Sequence, residues 1–198
     1  MQGEDGVARN ERLTATTAVA LIVLLAAEGV TILFIRPLLT WHVFIGMLLV
    51  PPVLLKLAST GYRFARYYAG SPPYRRKGPP SLPMRVLAPG VVLTTVALFA
   101  TGVALAIAGP GGGGTLKFLH KASFIAWFGL MTIHVLGHVI EVPRLAFPDW
   151  RPAGGREAAL AGAGLRTVLV SGAVVAGLAL ALATLSLIGP WVGGEVGG

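Results

Sequence analysis

The sequence predicts an all-α integral membrane protein with five transmembrane helices. Three observations carry that expectation. Only 12 % of the 198 residues are charged and 55 % are hydrophobic, whereas a soluble domain carries roughly 25 % charge. Mean hydropathy is +0.76. Apolar runs of about 20 residues, enough to cross the hydrocarbon of a bilayer as helix, recur five times. An ordinary soluble enzyme and a disordered chain are therefore excluded. Cysteine is absent, so Cys-held iron–sulfur clusters, zinc thiolates, disulfides and covalent c-type haem are excluded too. Any redox centre must be held by His, Met or Lys, or be a bound organic cofactor.

The chain reads as a single transmembrane domain, 1–198, with helices at about 13–35, 38–58, 86–108, 118–140 and 165–188. All five are too long for buried strands and lack strand alternation. The first is interrupted only by Glu28. Arg9 and Arg12 precede it as in a signal peptide, but Leu25 spoils the small-residue cleavage pattern and the apolar run continues to Ile35, so it is expected as a retained helix. The second carries His42 and Lys56. Gly46, one turn from His42, leaves room for a flat macrocycle, and Pro51–Pro52 are expected to kink the helix below it. The third is apolar throughout. Gly109, Pro110 and the glycines 111–114 follow it and read as a flexible loop, since no strand precedes them to make a phosphate cradle. The fourth carries His120, Lys121, His134 and His138. The fifth contains Ser171-Gly-Ala-Val-Val-Ala-Gly177, whose small residues permit close helix contact.

Basic residues fix the orientation. Of the 16 Lys and Arg, the N-terminus and the loops after the second and fourth helices, with their flanks, hold all but Arg36, Lys56, Lys117 and Lys121. This positive-inside bias predicts a cytoplasmic N-terminus and an outward C-terminus. The net charge of +8 thus follows from topology, and nucleic-acid binding is not expected. The Arg-, Tyr- and Pro-rich stretch 62–89 reads as a lipid-headgroup anchor or as a docking surface for a cytoplasmic partner.

The histidines carry the functional signal, because ionisable side chains inside a membrane are costly. All four lie on the second and fourth helices. His120 and His134 are 14 residues apart; 14 steps of about 100° end roughly 40° short of four full turns, so both rings share a face roughly 21 Å apart along the axis. His138 follows one turn later. His42 and His120 lie at comparable depth near the outer ends of their helices. Two facing helices at one level can clamp a haem iron through one imidazole each. Each histidine also has a plainer reading, as a hydrogen-bonded packing or boundary residue. Short metal-ligand spacings are lacking, so metal-only sites fit less well.

The segment His120-Lys-Ala-Ser-Phe-Ile-Ala-Trp-Phe-Gly-Leu-Met-Thr-Ile-His134, together with His42, resembles the membrane cytochrome b subunits of formate dehydrogenase and nickel–iron hydrogenase, and more loosely the bacterial b561-type cytochromes. The resemblance covers about the first 140 residues. It implies a four-helix haem-binding bundle plus one additional helix, with an outer haem b on His42 and His120 as iron ligands. It also implies a quinone partner, menaquinone or ubiquinone, and a redox partner subunit in a bacterial-type inner membrane. In that family the inner haem takes its second ligand from the first helix, which here has no histidine. His134 is then a quinone contact, a ligand of a second haem with an unusual partner, or a packing residue. Lys56 reads as a snorkelling lysine or an inner-level ligand, and Glu28 as a protonated, hydrogen-bonded carboxyl or a proton carrier beside quinone or haem. Glu28, His138 and Lys56 are the candidate proton or quinone contacts. Arg36 is placed to meet a haem propionate or to face headgroups.

The expected function is a non-catalytic electron-transfer subunit of an oxidoreductase. The alternatives are a ferric-reductase-like haem partner of a molybdenum enzyme and a cofactor-free transporter, channel or assembly factor. No flavin or nicotinamide motif appears, and no internal repeat of the kind many transporters show.

Overall fold

The computed structural model describes residues 2–138, 141–146 and 162–192. The described residues form α1 (Gln2–Leu33), α2 (Ile35–Tyr68), α3 (Pro72–Lys77), α4 (Leu82–Ala108), η1 (Pro110–Gly112), α5 (Gly113–His138), α6 (Glu141–Ala146), α7 (Ala163–Ala183), η2 (Leu185–Leu187) and α8 (Gly189–Val192). Five of these, α1, α2, α4, α5 and α7, are long and apolar enough to cross a membrane. Large apolar side chains such as Val23, Leu54, Leu93, Ile125 and Val168 point outward on all five. That suits a lipid bilayer, where a helix satisfies its own backbone and needs no polar coat.

The helices exceed their apolar stretches. α2 runs on to Tyr68 and α4 starts at Leu82, so the polar turns extend the apolar spans. The expected end of the fourth helix at 140, and Arg151 and Arg156 in the following loop, lie outside the described residues.

α1 and α2 form an antiparallel pair joined through Phe34 and a non-helical Leu38 (φ −109°, ψ 15°). Polar contacts set its register. Asn10 Nδ2 donates to the Ser59 carbonyl at 3.0 Å, Thr14 Oγ1 to Ser59 Oγ at 3.0 Å, and Lys56 Nζ to the Thr14 carbonyl at 2.8 Å. α4 and α5 form a second antiparallel pair, folded at Gly109 (φ +69°), a backbone conformation that glycine reaches without strain. Inside this pair, Trp127 Nε1 donates to Thr95 Oγ1 at 3.0 Å, both residues being buried.

α7 packs along α2 and touches α1. Pro51 and Pro52 do not break α2: both keep helical φ/ψ, and the break lies at Leu38. Pro52 has no N–H to give the Leu48 carbonyl four residues earlier. That carbonyl faces α7 where Gly177 has no side chain, and a Cβ on Gly177 would collide with it. Of the small-residue stretch, Gly177 and then Ala181 are buried, whereas Ser171 and Gly172 are exposed. The core at this end joins Met47 of α2, Ala106 of α4 and Ala181 of α7, with Val43, Phe44, Val103 and Leu187 against them. The fifth span therefore belongs to the core rather than lying outside it.

At the end carrying the N-terminus, α3 folds back on α1 and α2. Glu11 of α1 pairs with Arg63 Nη1 at 3.2 Å and Lys77 Nζ at 3.3 Å. Tyr74 is buried edge-on to Tyr62, with ring centroids 6.1 Å apart, and the Arg66 guanidinium lies 5.9 Å from its ring centre. Burial pushes the Tyr74 phenol above its ordinary 10.0, and Tyr62 adds to the rise against the opposing fields of Arg66 and Arg63.

Candidate functional site

At the far end of the bundle the structure brings His42 of α2 and His120 of α5 together. Their ring centroids are 6.3 Å apart and the planes cross at 72°. Two imidazoles on opposite sides of one metal ion, each with a metal–nitrogen distance of about 2 Å, have ring centres on the order of 6 Å apart. α5 packs along α4. Among the described residues it makes no extended contact with α1 or α2, so the imidazoles bridge a seam between the two helical pairs.

Each ring is held through Nδ1. His42 Nδ1 lies 2.8 Å from Glu28 Oε1 and 3.1 Å from Thr31 Oγ1. The Thr31 hydroxyl gives its proton to the Glu28 carbonyl at 2.6 Å, so toward His42 its oxygen can only accept. His120 Nδ1 lies 3.2 Å from Thr101 Oγ1, whose hydroxyl donates to the Ala97 carbonyl at 2.7 Å. Both rings thus face acceptors at Nδ1, which assigns the Nδ1–H tautomer to each by the hydrogen-bond network. A neutral ring held in this way carries its lone pair on Nε2. Metal-ligating histidines commonly donate their other ring N–H to a carboxylate, carbonyl or water in this way.

Glycine makes the room. A Cβ on Gly102, beside Thr101, would stand 3.0 Å from His120 Cε1. Gly46 was expected to admit a macrocycle; its open side faces Glu28 instead, and a Cβ there would lie 3.7 Å from Oε1. Glu28 and Thr31 are both buried. Glu28 is therefore an orienting partner of His42 rather than an isolated membrane carboxyl. Arg36 is exposed in the first turn of α2.

The other predicted residues lie near the N-terminal end. His134 and His138 sit one turn apart on α5 with ring centroids 4.9 Å apart. His134 Nδ1 is buried with no hydrogen-bond partner. Lys56 is committed to the Thr14 carbonyl, a contact that pulls it toward α1. At this level α1 offers hydroxyls, with Thr16 and Thr17 fully buried and bonded to the Arg12 and Leu13 carbonyls. No histidine on a facing helix meets His134 among the described residues.

Thr31, Thr101 and Gly102 escaped the sequence reading. Their signal was register: an antiparallel hairpin centred on Pro110–Gly111 sets Thr101 opposite His120. Comparison of the chain with protein-family models, with curated proteins and with solved structures found no match. Fold and site together define an all-α protein with membrane-spanning helices and a pair of pre-oriented histidines across its central seam.

Proposed function

We propose that the chain is a membrane-embedded electron-transfer protein that holds one haem b between His42 and His120 and links the quinone pool to an oxidoreductase partner. The observation that carries this is the meeting of two imidazoles from separate helices, ring centres 6.3 Å apart, each held at Nδ1 by an oxygen. The donor set suits the group: two imidazoles from separate helices, no thiolate, and a polar atom already fixing each ring. A bound haem would supply one-electron chemistry. The protein would hold it with His42 and His120 and orient those rings with Glu28, Thr31 and Thr101. Arg36 would offer a guanidinium to a propionate.

The N-terminal end is proposed as the quinone side. His134 has an unpartnered buried Nδ1, and the His138 ring centre lies 4.9 Å from its own. One turn before His134, Leu130 joins Leu82, Pro83, Val86, Leu87 and Gly90 in an open apolar groove of about 610 Å³, which suits the tail of menaquinone or ubiquinone. The charge bias supports a cytoplasmic N-terminal end, where exposed Arg66, Arg75 and Arg85 would meet lipid headgroups or a partner subunit. The Glu28–His42 contact and the helical backbone of α2 at Pro51–Pro52 favour this reading over a transport path.

A reduced-minus-oxidised visible spectrum of the detergent-purified protein, with a pyridine haemochrome assay, tests the proposal. A b-type band at about one haem per chain supports it. Two haems would mean that the His134 level also takes one. Protein expressed with haem supplied that remains colourless while folded would overturn it.

A further inference from the structure

The two histidines are not held alike. His42 Nδ1 meets a buried carboxylate oxygen at 2.8 Å, whereas His120 Nδ1 meets a neutral hydroxyl at 3.2 Å. The carboxylate is costly where it is. Glu28 is 9 % exposed, five residues before the end of a membrane-length apolar helix, and a buried carboxyl on such a helix is retained for a reason. An Ala or Ser at position 28 would leave His42 the Thr31 oxygen, 3.1 Å from Nδ1, so orientation alone does not require the acid.

We infer that Glu28 is ionised beside His42 and sets the redox poise of the His42–His120 site: the carboxylate makes His42 the stronger electron donor and favours the oxidised metal, so the site works at a lower potential than a pair of neutrally held histidines would. This rests on the haem reading of the site. The chemistry is direct. An anionic acceptor on Nδ1–H draws the proton toward itself and leaves more electron density on Nε2, raising ligand basicity. Hydrogen bonding to the axial ligand and local charge are two of the levers by which a protein tunes a haem. Both act in the same direction here, because a buried negative charge also stabilises the higher-valent ion in a low-dielectric surround. One electron is exchanged with the partner or quinone, and the Nδ1 proton stays on its nitrogen. Glu28 is thus a positioning residue that acts through His42. Thr101 holds the opposite ring without adding charge.

The test uses the full chain, purified in detergent, as wild type, Glu28→Gln, Glu28→Asp and Thr101→Val. Haem content is read by pyridine haemochrome and midpoint potential by equilibrium redox titration. Glu28→Gln keeps an acceptor of similar reach but removes the charge, and its potential should rise while haem remains bound. Glu28→Asp keeps the charge but withdraws the oxygen, and a smaller rise is expected. Thr101→Val should shift the potential less than Glu28→Gln. Nitrogen-15 spectra of labelled histidine in the haem-free protein give a readout that needs no haem: His42 should be the Nδ1–H tautomer in wild type and gain the Nε2–H tautomer in Glu28→Gln. Haem-loaded Glu28→Gln at the wild-type potential would overturn the inference and leave the haem site standing. Should Glu28→Gln fail to load, an unchanged potential in Glu28→Asp would overturn it equally. A wild-type chain that binds no haem would overturn the haem reading, and this inference with it.

Discussion

Gly177 of α7 lies against the Leu48 carbonyl of α2, and that carbonyl is one that Pro52 has deprived of its helical donor. The proline and the glycine belong to helices distant in sequence, yet they make one contact. Gly177→Ala would drive a methyl into backbone that cannot move like a side chain. Overpacking of this kind costs about 1–3 kcal/mol. Gly172→Ala meets nothing within 4 Å and should be neutral or slightly stabilising. Thermal unfolding of the two variants in detergent separates them.

His42→Ala and His120→Ala should each abolish haem binding, because each removes one of the two Nε2 lone pairs. His134→Ala should keep the haem and lose quinone binding. Haem content and quinone-dependent reoxidation of the reduced protein check both halves. Full haem content in either His42→Ala or His120→Ala would remove that residue from the site.

Gly102→Val should displace the His120 ring from Thr101, since even a Cβ would stand 3.0 Å from Cε1. Loss of an orienting contact typically costs roughly 10- to 100-fold in metal affinity, and haem affinity should fall by a similar factor. Gly129→Val, in open space on the same helix pair, is the control. Haem titration into the purified haem-free proteins measures the difference.

Trp127→Phe deletes the buried hydrogen bond to Thr95 Oγ1 at 3.0 Å. The hydroxyl still donates to the Val91 carbonyl at 2.7 Å, so only one bond is lost. A stability loss of about 1 kcal/mol is expected. Hydrogen exchange should show it on α4 and α5 while α7 is unaffected.

Tyr74 gives the docked α3 a pH limit. Its phenol is raised above 10.0 in the folded protein, chiefly by burial. The folded state therefore binds the proton more tightly than the unfolded one. That contribution is fully present below the unfolded value and is lost as pH rises through the folded one. Thermal stability should drop above about pH 10, and Tyr74→Phe should reduce that drop. An identical alkaline profile in both proteins would show that Tyr74 is not responsible.

Much of this was legible in the chain. Five spans follow from apolar length and low charge, because backbone in hydrocarbon must close its own hydrogen bonds. The shared depth of His42 and His120 follows from helix rise and a short connection, and the common face of His120 and His134 from helical periodicity. What holds the rings could not be read, because it depends on register between helices. Glu28 read as a hydrogen-bonded carboxyl or a proton carrier with no partner named, until α1 packed against α2 and set its carboxyl 2.8 Å from His42 Nδ1. Thr101 and Gly102 looked like ordinary residues of an apolar helix until the turn at Gly109 folded them onto His120. The role of Pro51–Pro52 was also a tertiary matter. The chain alone suggests a kink, but α2 stays helical there and sets Leu48 against Gly177 of α7. Composition and periodicity thus determined the spans and the candidate ligands. Side-chain contacts between helices, whose register depends on packing them together, decided which groups hold Nδ1 of His42 and His120.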